Sequence, residues 1–64
     1  MSYYVYHGCA FLKFEQEFKT KKKAIAFIEA QPDADCWSFD TVKYALDADG
    51  WVMRDEKGRL IEEA

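Results

Sequence analysis

Glycine, proline, cysteine and histidine are all scarce in this chain: three Gly, one Pro, two Cys and one His in 64 residues. The glycines stand apart at Gly8, Gly50 and Gly58, so no glycine loop cradles a phosphate. Cys9 and Cys36 are too few for a disulfide scaffold. With His7 they give three soft ligands at most, without a Cys-x-x-Cys spacing, so neither a metal nor any other cofactor is expected. A His7–Cys9 pair would share one strand face, but no third group is evident to orient it. No catalytic residue is assigned and the chain reads as non-enzymatic. No apolar run is long enough to cross a bilayer. The opening MSYYVYHG lacks the basic-then-apolar pattern of a secretion signal. The expectation is a cytoplasmic protein with reduced thiols and no membrane partner. With no linker, low-complexity tract or internal repeat, residues 1–64 read as a single domain.

What the chain has instead is charge and rings. Five lysines face two glutamates up to Lys23, a net of +3, and four basic residues face ten acids from Ala24 onward, a net of −6. The total of −3 does not suit a protein that coats DNA through its phosphates, so nucleic acid is the less favoured partner. Aromatic residues make up 17% of the chain. That richness either compensates for a small core or marks surface meant for another subunit or partner.

Periodicity places the elements. Thr20 to Pro32 reads as the central helix, with Thr20 as N-cap and Pro32 as the stop. At about 100° per residue, Ala24, Ile25, Phe27 and Ile28 share one face, and Lys22, Ala26, Glu29 and Ala30 the other. Lys21, Lys22 and Lys23 crowd the first turn, where cations oppose the helix dipole. They form either a solvated basic turn or a site for an anionic partner. Tyr3 to Tyr6 has strong strand preference, and His7-Gly8 reads as a two-residue turn into a second strand from Cys9 to about Phe18. A longer helix reaching back to Phe11 is the rival for that stretch. In the hairpin, Tyr3, Val5, Ala10, Leu12, Phe14 and Phe18 form the core face, leaving Tyr4, Tyr6, Cys9 and Phe11 outside. Asp33 to Cys36 is an acidic connection. Ser38 to about Asp47 reads as a short second helix capped by Ser38, with Phe39, Val42, Ala45 and Leu46 on one side. Trp51 to Arg54 and Arg59 to Ile61 read as a second hairpin, and the Glu62-Glu63-Ala64 tail should fray. The fold class is α+β: hairpin, helix, short helix, hairpin, with one antiparallel sheet and the helices on one face.

Two stretches resemble known motifs. Phe39 to Ile61 resembles the recognition-helix-plus-wing part of winged-helix domains in Thr41-Val42, Ala45-Leu46, Gly50-Trp51-Val52, Arg54 and Gly58-Arg59. The resemblance covers about a third of the chain and implies a nucleic-acid partner. Against it, the expected reading helix carries Asp40, Asp47 and Asp49 with only Lys43. Asp47, Asp49, Gly50 and Glu56 resemble part of a calcium loop, but Ala45 falls where the first carboxylate is required, so an acidic turn is the reading.

For function these features point to a small non-catalytic protein-binding factor: a regulator, inhibitor or accessory subunit acting by surface complementarity. Small stand-alone inhibitors from phages and mobile elements have this general character. The binding residues would be Tyr4, Tyr6, Phe11 and Trp51, docking another protein or a second copy in a homodimer. The alternative is that the C-terminal hairpin or the second helix covers Tyr4, Tyr6 and Phe11, which then belong to a two-sided core. A small nucleic-acid binder, using either the basic first turn at Lys21, Lys22 and Lys23 or the wing of the winged-helix-like C-terminal helix-plus-hairpin, is the runner-up.

Overall fold

Tyr3–His7, rich in β-formers, is β1, the middle strand of a three-stranded sheet. The computed structural model describes residues 1–8 and 11–63. Lys13–Phe18 (β2) pairs with one edge of β1 and Trp37–Asp40 (β3) with the other, both antiparallel. β2 and β3 therefore run parallel to each other, and Lys21–Glu29 (α1) is the crossover such strands need. A 3₁₀ turn, Ala34–Cys36, leads into β3. The α+β class holds, and the stretch open between strand and longer helix is strand from Lys13 on.

The helix forms for the expected reasons. Thr20 has extended backbone and its hydroxyl accepts from the Lys23 amide at 3.2 Å. Ala24 is fully buried, while Ala26, Glu29 and Ala30 face outward. The end comes before Pro32: Ala30 N–H donates to Ala26, and Gln31 donates its amide to Ile28 and its side chain to Phe27. These satisfy carbonyls a helix end leaves bare.

The first hairpin has another register. His7 pairs with Lys13, so the connection is residues 8–12 rather than a two-residue turn. A bulge between Val5 and Tyr6 puts Val5 opposite Gln16 and Tyr6 opposite Phe14. Gly8 sets this course. Its φ is +104°, and its amide donates across to Cys36 at 2.6 Å instead of closing a tight turn. Leu12, expected in the core, is 51% exposed as a result. Cys9 and Ala10, expected to begin the second strand and to put Ala10 in the core, lie outside the described residues.

The expected helix from Ser38 to Asp47 is absent. Its first residues are β3, and Tyr44 and Leu46 lie in extended backbone. The open edge of β1 claims Trp37–Asp40, and the Asp40 carboxylate turns the chain by accepting from the Val42 amide at 3.0 Å and the Tyr44 hydroxyl at 2.8 Å. An apolar spacing carried by four side chains does not outweigh a sheet edge that offers backbone partners. This removes the element on which the winged-helix likeness rests.

Residues 43–47, 51–55 and 59–63 form three extended pieces, and each hydrogen-bonds to the other two: Met53 N to Ala45 O, Ala45 N to Ile61 O, Asp55 N to Arg59 O. Of the expected second hairpin, the pairing of Arg54 with Leu60 is present as a single bridge. The tail is held through Glu63, whose amide donates to Lys43. A short repeat also emerges here. Asp47 Oδ1 accepts from Asp49 N and Trp51 N, and Asp55 Oδ1 accepts from Lys57 N and Arg59 N. Each turn ends on a left-handed glycine, Gly50 at φ +87° and Gly58 at +79°. The unit Asp-x-x-Gly thus recurs after eight residues, each time with the glycine amide donating back to the aspartate carbonyl. Asp47 acts here as a turn former, as the acidic-turn reading has it.

Both faces of β1 are covered. On the α1 side Phe18, Phe27, Trp37 and His7 form a chain of ring contacts. On the other side Phe11, Phe14 and Tyr44 surround Tyr6 at 5.3–5.7 Å between centroids. Tyr6 and Val5 are completely buried.

Candidate functional site

Of the four residues expected to bind a partner, the structure leaves one well exposed. Tyr6 is sealed inside the chain, so it cannot itself touch a partner. Its hydroxyl donates to Val42 O at 3.3 Å and accepts from Tyr44 N at 3.1 Å, which pins residues 42–44 over the sheet. Burial, first of all, raises its pKa. Tyr4 is half-buried against Phe14, and Phe11 half-buried between Tyr6 and Tyr44. Tyr44, from the stretch expected to be the second helix, covers Tyr6 and Phe11, whereas the ring against Tyr4 comes from β2. Trp51 is 48% exposed.

Trp51 is not alone. Among the described residues, Leu12 and Met53, at 51% and 44%, are the other large apolar side chains exposed away from the N-terminus. The three sit on paired backbone: Val52 N donates to Leu12 O at 2.8 Å, Phe14 N donates to Gly50 O, and Lys13 bridges Trp51. Trp51 and Met53, two apart in an extended piece, point the same way. A cleft of about 200 Å³ opens between Trp51 and the first hairpin, lined by His7, Gly8, Leu12, Lys13 and Trp51. Gly8 makes room for it. A Cβ there would lie 2.6 Å from the Leu12 side chain, so only glycine lets Leu12 fold over as the cleft wall. The Lys13 ammonium lies over the Trp51 ring, 5.6 Å from its centroid.

His7, at one wall, is tightly framed. Its ring stacks on Trp37 at 4.4 Å, and Asp33 Oδ2 lies 2.8 Å from Nε2. Trp37 Nε1 donates to the other Asp33 oxygen at 2.9 Å. The Trp37 and His7 hydrogen bonds hold the Asp33 carboxyl below the usual carboxylate range. The sequence showed no orienting group for His7 because Asp33 is 26 residues away. Its expected neighbour Cys9 lies outside the described residues. Among those described, no three His, Cys, Asp or Glu gather where they could hold a metal ion.

Lys21, Lys22 and Lys23 are exposed on the first turn of α1, and Lys21 and Lys22 line an open groove of about 450 Å³ with Ile25, Ala26 and Glu29. No described helix is long and apolar enough to cross a membrane. Leu12 reads from the sequence as a core residue, and Met53 is not singled out there. Their only signal is their placement beside Gly8 and Trp51, and it shows once the register is known. No family model, no curated protein and no solved structure matches this chain.

Proposed function

We propose that the protein is a small non-catalytic protein-binding factor that works in the cytoplasm as a regulator, inhibitor or accessory subunit. One observation carries this reading: Leu12, Trp51 and Met53 stand outward together on backbone pinned by hydrogen bonds. The remaining rings are already used in the two-sided core. Tryptophan is a favoured anchor at interfaces, and an anchor on paired backbone loses little freedom on docking. The docking face therefore moves from the Tyr4–Phe11 side of the sheet to the Leu12–Trp51–Met53 edge. Tagged wild type should retain a specific partner that Tyr4→Ala also retains and Trp51→Glu loses, with circular dichroism showing all three folded. Retention of the same proteins by Trp51→Glu would end the reading.

The nucleic-acid alternative loses its reading helix, since residues 38–47 form none, and keeps the basic turn at Lys21–Lys23 and the Arg54–Leu60 pairing of the wing. An anisotropy titration with mixed duplexes at low salt tests it. Binding lost in Lys22→Glu would favour it, and none at high micromolar protein would dismiss it.

A further inference from the structure

We infer that the cleft between Leu12 and Trp51 takes an apolar side chain from an acidic segment of a partner protein, with a carboxylate of that segment pairing with the Lys13 ammonium. The inference rests on the protein-binding reading and gives the docking edge a chemistry.

Size comes first. A protein cavity on the order of 150 Å³ accommodates a benzene ring, so a cleft of about 200 Å³ admits one side chain of leucine or phenylalanine size. Charge comes second. The chain has twelve acids against nine bases, yet no acid lines this cleft. Lys43 lies 3.6 Å from Glu63 and Arg59 lies 2.9 Å from Asp55, whereas no carboxylate of the described residues pairs with Lys13. Its ammonium is instead held over Trp51, the ring a partner would cover. Docking there takes the Lys13 charge out of water, and a buried charge without a counter-ion is costly. A neutral apolar partner incurs that cost in full, a basic one adds repulsion, and an acidic one removes it. Asp33, the carboxylate nearest the far wall, turns both oxygens to His7 and Trp37, so it does not answer Lys13.

A second copy is the main rival occupant, because Leu60-Ile61-Glu62-Glu63 has the same apolar-then-acidic character. In the folded chain, however, Glu62 bridges Tyr44 and Glu63 is tied to Lys43.

The test uses the full chain, isotopically labelled, titrated with four pentapeptides. One is acidic with a central leucine; the others carry alanine for that leucine, lysines for the acids, or neutral polar residues for the acids. The acidic leucine peptide should move the Trp51 indole, Leu12 and Lys13 resonances and saturate at least ten-fold below the other three. Lys13→Gln should bring the acidic and neutral peptides within about two-fold of each other, and Trp51→Ala should erase the preference for leucine over alanine. Equal or tighter binding of the neutral or basic peptide at the same resonances would overturn the inference while leaving the docking edge intact. Shifts confined to Lys21–Lys23, no shifts at all, or a dimer in sedimentation that covers Trp51 would also overturn it. The protein-binding reading itself stands or falls with partner retention by Trp51→Glu.

Discussion

Residues 3–40 and residues 41–63 differ in what satisfies their backbone. In the first, partners come from two strand ladders and a helix, and the side chains are left to pack: ring upon ring along Phe18, Phe27, Trp37 and His7. In the second, single bridges alternate with turns whose amides are taken up by Asp40, Asp47 and Asp55. Ladder bonds repeat, so losing one leaves the others in place. A turn carboxylate that accepts two amides has no understudy. Stability in the first region is thus spread over many residues, and in the second it is concentrated in a few. The candidate binding edge lies where the two regions meet, at the Lys13–Trp51 bridge.

The most severe way to break the comparison is at Tyr6, which belongs to both regions. Tyr6→Ala removes a buried ring worth about 3–5 kcal/mol, and a domain of this size has only ~3–10 kcal/mol in all. Most of the chain should unfold, read as lost ellipticity. Tyr6→Phe is the sharper instrument. It keeps the ring and strands the Val42 carbonyl and Tyr44 amide that the hydroxyl served, at about 1–3 kcal/mol. In hydrogen exchange, residues 42–63 should lose protection before β1–β2 does. Uniform loss across the chain would show that the two regions unfold as one.

Next come the repeated turns. Asp47→Ala and Asp55→Ala each release two amides and should lower stability by about 1–2 kcal/mol apiece in urea denaturation. The asparagine variants, which keep an acceptor, should lose less than half as much. Asp47→Ala should also disturb Trp51, whose amide it holds, and Asp55→Ala should not. A substitution of similar size at Glu15, exposed on β2, should change little.

The contrast also explains what could be read from the chain beforehand. α1 was legible because cap, apolar face and stop all agree within a dozen residues. β1 was legible from composition. The hairpin register was not, because it depends on Gly8 bonding to Cys36, a partner 28 residues on. β3 reads as the start of a helix because Phe39, Val42, Ala45 and Leu46 fit a helical spacing, while the competing demand comes from the edge of β1. The Asp-x-x-Gly repeat escaped because only its turn residues recur; the positions after glycine, Trp51 and Arg59, differ in kind. Trp51 was legible as an anchor from residue type alone. Leu12 was not, since its exposure follows from the register.

A smaller effect separates the regions by pH. Tyr44 donates to the Asp40 carboxylate, and that bond together with burial pushes its hydroxyl up to about 12. A group whose pKa is raised in the folded state stabilises below the unfolded value, near 10 for tyrosine, and that contribution disappears as pH rises through the folded one. Stability should therefore decline between about pH 10 and 12, by about 1 kcal/mol once screening of the partly exposed ring is allowed for. Tyr44→Phe should flatten that slope. Asp40 behaves oppositely: burial alone would raise its pKa, but hydrogen bonds from Tyr44, Val42 and Thr41 outweigh it and lower it. Its contribution is present above the ordinary aspartate value and is lost as pH falls through the lowered one.

The smallest effect is expected inside the regular region, at the start of α1. Thr20 already accepts from the Lys23 amide, and a glutamate three residues after such a cap completes a reciprocal pair by reaching back to the Thr20 N–H. Lys23 instead places a cation against the positive end of the helix dipole. Lys23→Glu should raise stability by about 0.5–1 kcal/mol, from removing one unfavourable charge and adding one favourable charge. Lys23→Gln, which can complete the box without the charge, should fall in between. The segment up to Lys23 carries net +3, so the new carboxylate does not join an acidic cluster. A rise in the urea midpoint that shrinks at high salt for Lys23→Glu, down to the smaller and less salt-sensitive rise of Lys23→Gln, would separate the dipole term from the hydrogen bond. If neither variant is more stable than wild type, the first turn does not bear the electrostatic cost assigned to it.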